Sequence, residues 1–123
     1  EHAMTAFHPE LPHGAGLLMI SEAYFSFFAK YVPDRFIKMA HMMGEVTDGL
    51  PEEEKPYTFV HALQKLKKEC GVDHLKMSDY GIQADEMEKL ARNAHKTMSN
   101  LFAMDRYTLS LKENIEIFKA AYR

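Results

Sequence analysis

The chain carries one cysteine, Cys70, among 123 residues. A single thiol cannot form an internal disulfide, which excludes a secreted scaffold held by disulfides. Long apolar runs are missing too: the longest of note, Leu17–Ile20, falls far short of the roughly 20 residues that span a bilayer. No charge of one sign dominates. The 15 Lys+Arg and 18 Asp+Glu give a formal charge of −3 with both signs interspersed, so there is no basic face for nucleic acid. Sustained strict alternation, Asn-Gly hairpin signals, internal repeats and low-complexity tracts are absent, which leaves little basis for a sheet or a solenoid. No stretch has the charged, apolar and small-residue parts of a signal peptide. Together these absences predict a soluble, cytoplasmic protein that binds neither nucleic acid nor membrane.

What is present points to a helical core. Hydrophobic residues make up 46% of the sequence, enough for one packed interior at this length. The expectation is a single all-α domain over residues 1–123, compact and of about five or six helices. A dense pattern begins at Glu1-His2 without an initiator methionine, and the chain is therefore expected to be a fragment of a longer protein. Residues 1–7 read as one or two helical turns, and Pro9 and Pro12 break the chain after them. A long helix is expected from about Ala15 to Tyr31, with Leu17, Ile20, Tyr24, Phe27 or Phe28, and Tyr31 at spacings of three and four. Its apolar circumference makes it the expected most buried helix.

Further along, Asp34 is the expected N-cap of a helix over Phe36–Met43. Phe59, Leu63, Leu66 and Cys70 form the expected inner stripe of the next helix, with Lys65, Lys67 and Lys68 solvated near its end and Gly71 closing it. Asp79-Tyr80-Gly81 reads as a connector, Asp85–Met98 as a helix, and Ser99–Leu109 as a linker. Ser110-Leu111-Lys112-Glu113 has the spacing of a capping box before the last helix. The abundance of methionine, nine residues, reads as core filling.

Candidate chemistry concentrates near the start, where His2, His8 and His13 fall within one short segment. A loop with two prolines can turn the chain so that His2 and His13 meet, and neutral imidazole is a good ligand for iron, zinc, nickel or copper. Two histidines make an incomplete site. On spacing alone the residues favour helix-end histidines satisfied by backbone groups, and neither the zinc-finger nor the His-Glu-x-x-His spacing is present. Gly14 and Gly16 beside the start of the long helix allow close approach of either a ligand or a packing neighbour. His41, His61, His74 and His95 lack partners at ligand spacing, and Cys70 has no activating neighbour.

The segment Glu1-His2-Ala3-Met4-Thr5-Ala6-Phe7, followed by Leu11-Pro12-His13-Gly14-Ala15-Gly16-Leu17-Leu18-Met19, resembles the metal-binding signature of the iron-containing (group III) alcohol dehydrogenases. Asp79-Tyr80-Gly81-Ile82 and the last helix after Leu109 are similar in layout, so the resemblance extends over essentially the whole chain. It implies the C-terminal helical domain of an enzyme whose N-terminal nucleotide-binding domain precedes it. It further implies that His2 and His13 ligate Fe²⁺, or Zn²⁺, while an Asp and another His come from upstream, where NAD or NADP also binds. Many members carry a further His four residues after the first ligand. Ala6 stands there in this chain, and the loop to Pro-His-Gly is shorter, which leaves His8 as the candidate for substrate contact or proton relay.

The implied activity is interconversion of small alcohols with aldehydes or ketones by metal-assisted hydride transfer, within a homo-oligomer when full length and with the isolated fragment inactive. Two other readings remain open on the residues: a stand-alone helical binding or regulatory domain with a weak or absent metal site, and a metal-dependent hydrolase lacking its other half.

Overall fold

The computed structural model describes all residues, 1–123. It is entirely helical, without strands: α1 (His2–Phe7), α2 (His13–Tyr31), α3 (Pro33–Met42), α4 (Thr58–Glu69), α5 (Met87–Thr97), α6 (Ser99–Met104) and α7 (Leu111–Ala121). Short 3₁₀ turns at Lys55–Tyr57, Met77–Tyr80 and Ala84–Glu86 join them. The count exceeds the expected five or six because Ser99–Met104, read as linker, forms a short helix. No helix is long and apolar enough to cross a membrane.

The chain divides into two compact units, Glu1–Ala23 with Leu75–Arg123, and Tyr24–His74. In the first, α5 packs against α1, α6 and α7. Met4, Met77, Ile82, Met87 and Leu90 are fully buried there. Removing one such side chain from water is worth about 1.5–3 kcal/mol, so these five are large contributors to the stability of the unit. Methionine serves the core only in part, since Met42 and Met104 are 74% and 81% exposed. Gly81 ends the turn after Met77 at φ +78°, where a Cβ would be strained. The carbonyl of Arg123 accepts from Ser78 N and Oγ, which ties the C-terminus to that turn.

In the second unit α3 packs on α4 and on the Lys55–Tyr57 turn. Phe25, Phe36 and Phe59 meet edge to face, with ring centroids 5.3–6.1 Å apart, the arrangement favoured by the aromatic quadrupole.

Several expectations need correction. Pro33, not Asp34, begins α3; its fixed φ suits the first helical position, and Asp34 lies in the first turn without capping. The inner face of α4 is rotated from the expected stripe: Val60 and Lys67 are buried, while Leu66 and Cys70 are exposed. Only Met19, Phe28 and Ala29 among the hydrophobic residues of α2 are fully inside, and Leu17 is 47% exposed, so α2 is not the uniformly buried helix expected.

The capping box at α7 forms as read. Ser110 Oγ accepts from Glu113 N at 3.3 Å, and the Glu113 carboxylate accepts from Ser110 N at 2.8 Å. The Ser110 hydroxyl, then the Tyr107 hydroxyl, then the Ser110 amide hold the Glu113 carboxyl below its usual range. Such a group stabilises the fold above its unfolded pKa and loses that contribution as pH falls through its folded pKa. Ser110→Ala is expected to destabilise the protein by about 1 kcal/mol in denaturant titrations. It is also expected to move the Glu113 carboxyl back up in an NMR titration. An unchanged midpoint and an unchanged titration would show that the cap contributes nothing.

Candidate metal centre

Short-range geometry builds the site. The loop between α1 and α2 is held by backbone bonds from His8 N to the Met4 carbonyl (2.8 Å), Leu11 N to the His8 carbonyl (3.0 Å) and Gly16 N to the Pro12 carbonyl (3.1 Å). Leu11 inserts into the core at 3% exposure, next to Ala3 and Met4 of α1. The chain therefore reverses within residues 8–12, and the two helix starts lie side by side. Helix α2 begins at His13, two residues before the expected Ala15, and this places the imidazole in its first turn.

The consequence is that the His2 and His13 rings stack, with centroids 5.3 Å apart and planes 12° from parallel. Glu1, which sequence reasoning did not single out, joins them: one donor atom from each of Glu1, His2 and His13 lies within 4.8 Å of the other two. The Glu1 side chain is buried, and its Oε2 contacts His13 Nδ1. Neither carboxylate oxygen has a hydrogen-bond partner. Two imidazoles beside a buried, negatively charged carboxylate suit a divalent transition-metal ion such as Fe²⁺ or Zn²⁺, so the residues fit the metal that the resemblance implies.

His8 occupies a different place. Its Nε2 and Glu86 Oε2, at the end of the turn that leads into α5, are 2.6 Å apart and partly buried. Nothing in sequence could pair residues 78 positions apart, and Glu86 was missed for that reason. The glycines separate as well: a Cβ on Gly16 would lie 2.8 Å from Glu1 Cγ, whereas Gly14 has open space. The remaining histidines lie outside the cluster. His41 Nε2 pairs with Thr47 Oγ1 at 2.8 Å, His95 stacks on Phe102, and His61 and His74 are exposed.

Residues 1–122 match the model of the Fe-containing alcohol dehydrogenase family, C-terminal. The chain is 31% identical over 116 residues to 1,3-propanediol dehydrogenase of Citrobacter freundii, covering 92% of the chain and 28% of that protein. It is 30% identical over 66 residues to the mitochondrial hydroxyacid-oxoacid transhydrogenase of Homo sapiens, covering 54% of the chain and 14% of that protein. The chain thus spans less than a third of the length of either relative. No solved structure matches it. With the family match spanning nearly every residue and the paired histidines at its start, the chain belongs to the Fe-containing alcohol dehydrogenase family, as the C-terminal helical domain.

Proposed function

We propose that this domain holds the metal ion of a cytoplasmic, NAD(P)-dependent alcohol dehydrogenase that interconverts small alcohols with aldehydes or ketones. The observation that carries this reading is the convergence of His2 and His13 from two helices onto one point. The family match supports an oxidoreductase, and the printed name of the Citrobacter freundii relative supports a small alcohol as substrate. The remaining metal ligands and the dinucleotide site are assigned to an N-terminal nucleotide-binding domain of the same protein. Phe7 and Leu17, exposed on the helices that carry His2 and His13, suit burial against such a partner.

Each residue has a distinct task in this scheme. His2 and His13 present neutral ring nitrogens to the ion. The chemistry supplied by bound Fe²⁺, or Zn²⁺, is Lewis-acid polarisation of the alcohol oxygen, which favours loss of its proton and hydride transfer to nicotinamide. His8 would serve as the relay for the hydroxyl proton through Nδ1, because its Nε2–H is committed to the Glu86 carboxylate. Glu86 fixes that tautomer and steadies the imidazolium once it forms.

In the full-length protein, His2→Ala or His13→Ala is expected to lower bound metal by about tenfold or more in elemental analysis, with activity lost in proportion. His41→Ala and His95→Ala are expected to leave both unchanged. Equal metal loss from all four substitutions would mean general destabilisation and end the ligand assignment. His8→Ala is expected to keep the metal and lower kcat by about a hundredfold, and an unchanged kcat would remove His8 from the mechanism. The 123-residue domain alone is expected to produce no NADH or NADPH from alcohols; turnover by the pure domain would refute the assignment of the dinucleotide site elsewhere.

A further inference from the structure

Resting on the reading of His2 and His13 as ligands, we propose that Glu1 is a positioning residue of the metal centre: its carboxylate takes the Nδ1–H of His13 and so points the Nε2 lone pair at the ion. The Glu1 side chain is 3% exposed, against 57% for His13. Glu1 therefore lies behind the ring, on the protein side, and the imidazole faces outward. A carboxylate buried without acceptor bonds is costly, so its burial calls for a donor or a cation. The Nδ1 atom of His13 lies against Oε2 and can supply that donor. An imidazole that donates from Nδ1 keeps its lone pair on Nε2, the neutral form a metal binds.

Gly16 supplies the seat. It is buried, and a Cβ there would lie 2.8 Å from Glu1 Cγ, 3.0 Å from Glu1 Oε1 and 3.2 Å from Leu11 Cδ2. Gly14, two residues earlier on the same helix, would meet nothing within 4 Å. The close approach is therefore specific to the position under Glu1 and not a general feature of the start of α2. Gly16 also has no positive φ, so alanine can adopt its backbone and is the better helix former. Its substitution perturbs the Glu1 carboxylate without altering any charge.

The test uses the full-length protein and cobalt(II) as probe, with affinity measured by chelator competition and coordination read from the visible d–d spectrum. Glu1→Gln is expected to weaken cobalt binding by about 10–100-fold, with the spectrum and the far-UV circular dichroism unchanged. Should Glu1→Gln fail to fold, Gly16→Ala decides, with the same loss expected of it. Affinity within about twofold of wild type overturns the proposal. So does a spectrum that reports a changed coordination number, which would make Glu1 a ligand itself. The outcomes separate the two claims. A wild-type protein that takes up no cobalt defeats the reading of His2 and His13 and this proposal with it. Cobalt binding that His13→Ala abolishes and Glu1→Gln leaves intact defeats the role of Glu1 alone.

Discussion

The reversal of the chain at residues 8–12 is the constraint on which the site depends. Helix α1 has six residues, too few to be stable in isolation. It persists because Ala3 and Met4 are buried in the core cluster and because α1 packs against α5. Met4 has no exposure and stands two residues from His2, so apolar burial anchors the backbone next to that histidine, alongside the bond from Thr5 Oγ1 to the His2 carbonyl. Leu11 performs the same service for the loop, while Pro9 and Pro12 narrow what the unfolded segment can do and lower the entropy lost on ordering it.

How far this was legible in the sequence depends on the range of the interaction. Helix classes, the two prolines, the Ser110 capping box and the meeting of His2 with His13 rest on residues close together in the chain, and all four were readable. The faces of the helices were less so. Periodicity marks an apolar stripe, but the neighbours decide which side is turned inward, and α4 buries Val60 and Lys67 in place of Leu66 and Cys70. Pairings across the chain left no trace at all: His8 with Glu86 is a contact only the fold creates. Glu1 is the intermediate case. It adjoins His2, and Gly16 already suggested a close approach, but only the structure identifies what approaches.

A count of histidines is a poor guide to chemistry in this domain. The seven share one side chain but meet four different fates. His41 and His8 are paired with Thr47 and Glu86, His95 is stacked on an aromatic ring, and His61 and His74 face solvent. His2 and His13 alone stack on each other above a buried carboxylate. The distinguishing feature is thus the company of the ring: His41 meets a hydroxyl and His95 an aromatic face, while His2 and His13 lie beside a buried carboxylate without a hydrogen-bond partner.

That arrangement links metal binding to the folding of its own support. His2 belongs to a helix held in place by packing, and His13 opens the next one across the loop. An ion bridging the two would bind the ordered form of α1 and not the frayed one, so its binding free energy adds to the stability of that helix. On the proposed assignment of His2 and His13 the reverse also holds, since any loosening of Met4 or Leu11 in the core would separate the two rings and weaken the ion's hold. Core packing and metal affinity would then be one coupled property in the first residues of this chain, and substitutions far from the histidines, but beneath α1, would act on the centre through that coupling.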